Sequence, residues 1–284
     1  MRKIKILLVK VTSLISLKFY YRLAYFHNRG KWLNLKKTTN LSEFIISQIV
    51  SGEINAYAIY ADKYRVRNFV KKRGLSHILT QLYGSWTDAN DINFDTLPNQ
   101  FVLKQNAGCK LNIICFDKTK LDIQEVRNKL NHWMQIKVFA RKEPHYDRIE
   151  KCIIAEELIQ DGLGNLPVDY KFQCINGKIH HILVCTDRDK STRLHMYGLN
   201  WIRKNNLVKK KNEKYDDAIP RPKNLDKMIE YAAILAQGFE YVRVDLYDTG
   251  DKVYFGELTF TPHSGLLRYY TIEALEEMLK FRDH

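Results

Sequence analysis

The stretch RVDLYDTGDKVYFGELTFTPHSG, Arg243 to Gly265, sets acids, a guanidinium and hydroxyls at alternating positions. Strand side chains alternate between faces. Arg243 and Asp245 therefore share one face of the first run, and Glu257 and Thr259 one face of the second. The turn signal Thr249-Gly250-Asp251 between the runs predicts a hairpin that brings the two pairs side by side. Two carboxylates so placed suit magnesium, which takes hard oxygen ligands, keeps several waters and is held by one or two carboxylates together with substrate phosphates. Asp245 and Glu257 are the candidate ligands. Thr259 could add a hydroxyl or hold a metal-bound water, and Arg243 offers a planar fork for a phosphoryl or carboxylate oxygen. The same spacing also fits a cross-strand salt bridge between Arg243 and one of the acids, so both readings stay open on these residues alone.

The elements that position this stretch are readable along the chain. Residues 1–75 are basic and helical in pattern, ending in DKYRVRNFVKKRG, where Val66, Phe69 and Val70 form an i, i+3, i+4 stripe and Gly74 offers a cap. After the loop-like TDANDINFDTLPN, the runs QFVLKQ and LNIICF flank NAGCK and predict a hairpin, and DIQEVRNKLNHWM returns to helix period. CIIAEELI reads as a strand before the turn QDGLGN. DYKFQCI and KIHHILVCT are joined by Asn176-Gly177, a strong hairpin signal. A Lys-rich stretch at 203–217 reads as a solvated loop. A helix is predicted over 223–237, two strands carry the acids, and TIEALEEMLKF closes the chain as a helix.

The bulk composition narrows the class. With 46 Lys+Arg against 32 Asp+Glu the formal charge is +14, which favours an anionic partner without choosing among nucleic acid, acidic lipid, nucleotide phosphate or acidic glycan. The sequence carries no zinc-finger spacing, RRM signature or basic zipper, which disfavours nucleic acid. Five cysteines, odd in number and without CxxC, read as reduced thiols of a cytoplasmic protein. Residues 1–35 mix apolar and basic residues, with Lys10 and Lys18 interrupting the apolar runs, so they are too charged to span a bilayer. They read either as an amphipathic helix on the inner, anionic face of the membrane or as a helix packed on the core.

Arg243-Val244-Asp245 followed by Glu257-Leu258-Thr259 and the loop Pro262 to Gly265 resembles the ATP-grasp superfamily, whose last core strands carry Arg-x-Asp and then Glu-x-Asn. Thr259 stands where that pattern has Asn. The run Glu-Leu-Thr-Phe-Thr-Pro looks like the TupA-like branch, associated with teichuronopeptide and polysaccharide biosynthesis. The resemblance covers about residues 60–270. It implies an α+β fold of two lobes with antiparallel sheets enclosing a nucleotide cleft: a helical N-terminal subdomain (1–75), a small lobe with the phosphate-binding hairpin (76–155), and a large lobe with hinge, metal site and C-terminal helix (156–284).

The resemblance also implies site residues. Lys104 and the turn Ala107-Gly108-Cys109-Lys110 stand at the phosphate-binding hairpin, with one glycine where the usual loop has several. Glu156, Glu157 and Leu158 stand at the hinge under the adenine, Asp169 near the ribose, and Lys171 within reach of the phosphates. Taken singly, these are ordinary strand-end charges, a surface lysine and a surface ion pair. Arg65, Arg67 and His145 stand in segments similar to this branch, without an assigned role.

The implied chemistry is an ATP- and Mg2+-dependent carboxylate–amine ligase acting through an acyl phosphate, with Arg243, Lys171 and Lys104 neutralising charge. The implied partners are an acidic saccharide, such as a capsular uronic acid, and an amino acid. On this reading, replacing Asp245 or Glu257 by alanine abolishes ATP turnover and leaves the fold intact. Two rivals are carried: a metal-dependent glycosyltransferase using the DxD of Asp187-Arg188-Asp189, and a non-catalytic scaffold for glycan assembly.

Overall fold

In the computed structural model the described residues are 16–136, 142–186, 193–209 and 218–283. The Asp187–Asp189 motif and most of the Lys-rich loop lie outside them. The helices are α1 (Leu17–Arg29), α2 (Leu41–Ser51), α3 (Ala58–Ala61), α4 (Val66–Lys72), α5 (Ile123–Gln135), α6 (Leu225–Ala236) and α7 (Ile272–Lys280). The strands are β1 (Leu82–Trp86), β2 (Phe101–Gln105), β3 (Asn112–Cys115), β4 (Ile153–Glu156), β5 (Asp169–Ile175), β6 (Lys178–Thr186), β7 (Arg193–Tyr197), β8 (Tyr241–Asp248) and β9 (Val253–Thr259). They form a four-stranded sheet in the order β1-β4-β2-β3 and a five-stranded sheet in the order β7-β6-β5-β8-β9, with every pairing antiparallel.

Each sheet has its own apolar core. Phe101, Leu103, Ile153 and Ala155 pack against Val126, Leu130 and Trp133 of α5 under the small sheet. The large sheet buries Phe172, Cys174, Val242, Val244 and Leu246 against Leu225, Met228 and Ala232 of α6. The helical first quarter joins this second core, since Tyr21, Tyr25, Ile45, Ile46, Ile49 and Val70 belong to the same cluster. Core packing thus accounts for one face of α1. Among the described residues no helix is long and apolar enough to cross a membrane.

Local chemistry explains the turns that set the register. Asn176 (φ 49°) and Gly177 (φ 75°) both take the left-handed conformation that a two-residue hairpin between β5 and β6 needs. A register shift follows Asp245, where β8 and β9 approach closely at Gly256: a Cβ there would lie 2.9 Å from the Asp245 carbonyl oxygen. Glycine is what permits that approach.

The reading of the sequence missed β1 and β7. LYGSW holds a mid-strand glycine and a bulge opposite β4 and shows no alternation. RLHMY places His195 and Met196 both in buried positions, which hides its two-residue period.

Candidate active site

The pleat sends Val242, Val244 and Leu246 into the core and leaves Arg243 and Asp245 on the opposite face of β8. Lys171 on β5 pairs in register with Asp245, and Asp245 pairs with Glu257 on β9, so the three form one row across the sheet. The neighbouring row is Gln173, Arg243 and Thr259.

Charge compensation in these rows is dense. Arg243 donates from Nε to Asp245 Oδ1 (2.7 Å) and from Nη2 to Oδ2 (2.6 Å), and Lys171 Nζ donates to the same Oδ2 (2.6 Å). Lys171 also pairs with Asp169. Arg243 Nη2 reaches Glu257 Oε1 at 3.3 Å, and Lys63 Nζ stands 3.3 Å from Glu257 Oε2. Thr259 donates its hydroxyl to Glu257 Oε1 (3.1 Å) and accepts from Arg243 (3.0 Å), so it braces Glu257. Asp245 is 1% exposed, whereas the Glu257 side chain is 32% exposed and opens to the cleft.

The electrostatics follow from burial and pairing. Burial alone lowers an ammonium, yet the carboxylates of Asp245 and Asp169 overcome it and raise Lys171, which stays charged. Burial pushes the Asp245 carboxyl up against the pull of Arg243 and Lys171. Glu257 is brought down to about 2, because Lys63, Arg243 and Lys171 outweigh its burial.

Two joined cavities lie over these rows, between the sheets. One, about 340 Å³, is lined by Lys63, Lys104, Gly108, Lys110, Asp169, Lys171, Asp245 and Glu257 among others. The other, about 280 Å³, is an apolar slot walled by Val102, Ile114, Leu158, Ile159, Leu166 and Pro167, with Glu157 at its edge. Lys104, Asn112, Ile159 and Tyr247 line both. The cleft therefore has a polar, cation-rich end and an apolar end, as a molecule with a polyanionic tail and a planar base requires.

Lys104 on β2 lies at that junction and donates to Glu156 Oε2 (2.8 Å). Glu156 is 6% exposed and also accepts from Arg67 (2.8 Å); these cations outweigh burial and lower its carboxyl. At the hinge the Glu157 amide is already bonded to the Gln81 carbonyl (2.9 Å), and Leu158 faces the slot.

The segment Asp62–Arg67 has a positioning role at this site. Asp62 Oδ1 accepts from the amides of Tyr64 (2.8 Å) and Arg65 (3.1 Å) and from Asn106 Nδ2 (2.9 Å). Asn106, fully buried, is also bonded to Cys152 through both backbone and side chain, which fixes the start of the 107–110 turn. Lys63 donates to the Gly108 carbonyl within that turn. Arg65 pairs with Asp62 and Glu150, away from the acidic row. His145 is fully buried, with neither ring nitrogen hydrogen-bonded.

Sequence reasoning missed two residues at this site. Lys63 lies inside the DKYRVR segment it had singled out, but nothing in the sequence shows that the lysine folds back onto Glu257. Glu143 accepts from Thr261, and burial raises its carboxyl. It stands beside a loop where His263 (φ 53°) and Ser264 (φ 55°) are both held in the left-handed region, a cost that marks functional loops.

Magnesium fits this donor set. Asp245 and Glu257 are hard oxygen donors on one row and line one cavity with four lysines. Among the described residues no group of three or more His, Cys, Asp or Glu could hold an ion by itself, so phosphates and water must complete its shell.

A family model described as TupA-like ATP-grasp matches residues 43–279. The chain belongs to the TupA-like ATP-grasp family. In this TupA-like ATP-grasp chain the match spans both sheets and every residue of the acidic row. No curated protein matches it in sequence. Among solved structures it is similar to D-alanine–D-alanine ligase from Bacillus anthracis, at 16% identity over 79% of this chain and 65% of that one, TM-score 0.47. It is also similar to the ATP-grasp ligase PsnB complexed with minimal precursor, Mg and ADP, at 12% identity over 86% of this chain and 66% of that one, TM-score 0.45. Phosphoribosylamine–glycine ligase from Thermotoga maritima aligns at 12% identity over 75% of this chain and 51% of that one, TM-score 0.43. The chain thus spans about two thirds or less of the length of these structures.

Proposed function

We propose that this protein is an ATP-dependent carboxylate–amine ligase that joins an amino acid through an amide bond to the uronic acid of a capsular or cell-surface polysaccharide or its precursor. The observation that carries this reading is the row Lys171–Asp245–Glu257, lining a cavity that continues past Lys104 into an apolar slot. Family membership supports ATP as the nucleotide. The acidic acceptor suits the +14 charge of the chain.

The apolar slot takes the adenine between Val102, Ile114 and Leu158, with Asp169 toward the ribose. Lys104 and Lys171 bind the polyphosphate and neutralise it, which lets an anionic carboxylate approach. Asp245 and Glu257 would hold magnesium, which would supply positive charge against the terminal phosphates. Arg243 lies behind both acids and orients them, its fork filled by Asp245. The acceptor carboxylate oxygen bonds to the γ-phosphorus and ADP leaves. The amine nitrogen then bonds to the acyl carbon, releasing phosphate and a proton. The loop after Glu257 is tied to Glu143 through Thr261 and Ser264.

The protein is incubated with Mg-ATP, pooled amino acids and uronic-acid saccharides, and ADP, phosphate and coupled products are followed by mass spectrometry. Amide product with ADP supports the ligase. Nucleoside diphosphate released from a sugar nucleotide without ATP use supports a glycosyltransferase. No ATP binding and no turnover supports a scaffold.

A further inference from the structure

The first acidic residue of the chain is Glu43; before it stand Arg2, Lys3, Lys5, Lys10, Lys18, Arg22, Arg29, Lys31, Lys36 and Lys37. Such a run without a single compensating acid carries more than the general surplus of the chain. The structure shows where part of it points. α1 buries Tyr20, Tyr21, Ala24 and Tyr25 and turns Lys18, Phe19, Arg22 and Phe26 outward at spacings of three and four. Phe19 is 49% exposed and Phe26 41%. The turn after the helix adds Trp32, 64% exposed, stacked on Phe26 at 4.5 Å. Large exposed aromatic groups ringed by cations are not the ordinary polar exterior of a helix.

We propose that α1 and the turn following it form a docking surface for an anionic lipid bilayer, with Phe19, Phe26 and Trp32 entering the headgroup–acyl boundary and Lys18, Arg22 and Lys31 meeting the acidic headgroups. Aromatic rings favour that boundary, and basic side chains gain from the negative surface potential. Charge complementarity selects this occupant over a second copy of the chain, because two copies would bring together two basic stretches that hold no acid before Glu43. The helix is firmly seated for such a role. Arg29 donates to the carbonyls of Leu266 (3.0 Å), Leu267 (2.8 Å) and Tyr270 (2.8 Å), and Asn28 Nδ2 to that of Leu266 (3.3 Å). Docking would therefore hold the loop that follows Glu257 close behind the membrane-facing helix.

The test is co-sedimentation of the full chain, without nucleotide, with vesicles of phosphatidylcholine alone and of phosphatidylcholine mixed with phosphatidylglycerol. Binding is expected only to the anionic vesicles and to fall steeply with salt. Lys18→Gln, Arg22→Gln and Lys31→Gln together should weaken it on the order of a hundredfold, about fivefold for each. Phe19→Ser, Phe26→Ser and Trp32→Ser together should abolish it while far-UV circular dichroism stays that of the parent. Quenching of tryptophan fluorescence by brominated lipid should occur in the parent and drop sharply in Trp32→Phe, a variant that keeps the aromatic contact. Equal binding to neutral and anionic vesicles, or unchanged binding by both triple variants, overturns the proposal. So does a shift from dimer to monomer in the aromatic variant with lipid binding intact, which assigns the face to self-association, and so does a stronger response to single-stranded oligonucleotide than to vesicles.

Discussion

Asp245→Asn and Glu257→Gln are predicted to abolish ATP turnover alike and to differ sharply in stability. Around Asp245 the cations Arg243, Lys171 and Lys63 balance the anions Asp169, Asp245 and Glu257. Asp245 is 1% exposed and accepts three charge-assisted hydrogen bonds, so neutralising it leaves Arg243 and Lys171 facing each other with one counter-charge too few. Removing one partner of a buried ion pair costs about 3–5 kcal/mol. At about 2 °C per kcal/mol for a chain of this size, that lowers Tm by roughly 6–10 °C. Glu257 is a third exposed, and its glutamine keeps an oxygen for Thr259; solvent screening reduces the loss to about 1 kcal/mol. Both variants are therefore expected to fold, Glu257→Gln with near-parent stability and Asp245→Asn with a clearly lower Tm. Differential scanning fluorimetry with and without Mg-ATP separates the two effects. At a hundredfold excess over Kd, ligand binding adds about 2.7 kcal/mol to the parent, and neither variant should show that gain. An Asp245→Asn protein that melts within a degree of the parent would refute the charge ledger, and Glu257→Gln with full turnover and full Mg-ATP stabilisation would refute the metal assignment.

Lys104→Ala should raise the KM for ATP at least tenfold with little change in Tm, because Glu156 keeps Arg67 at 2.8 Å; steady-state kinetics beside a melt check both. Lys63→Met removes a cation from both Glu257 and the Gly108 carbonyl, so it should lower kcat and loosen the 107–110 turn, read as faster amide exchange there. Burial brings the His145 imidazole down to about 4 from 6.5. The unfolded chain then binds the proton first as pH falls, so His145 alone removes about 3 kcal/mol of stability between about pH 6.5 and 4. His145→Phe should flatten that slope in urea titrations run across the same interval, and an unchanged slope would remove His145 as its source.

What could be read from the sequence was what local spacing encodes. The alternation of Arg243, Asp245, Glu257 and Thr259 and the turn at Gly250 were enough to place two acids on one row, because the pleat and a short hairpin leave little choice. Asn176-Gly177 was legible for the same reason. The pairing of β4 between β1 and β2 was not, since a strand about seventy residues after β1 inserts between it and the β2–β3 hairpin, which local spacing presents as a complete unit. Lys63, Asp62 and Asn106 illustrate the deeper limit. Each is an ordinary polar residue by type, and each acquires its role from a contact across more than forty positions, as where Asp62 Oδ1 accepts from the Tyr64 and Arg65 amides and from the Asn106 side chain at once. Chemistry that depends on long-range closure leaves no periodic trace. The segment DKYRVR showed only that something basic recurs there, and the structure divides it into Lys63 facing the cleft, Arg65 tied to Glu150, and Arg67 holding Glu156 behind Lys104.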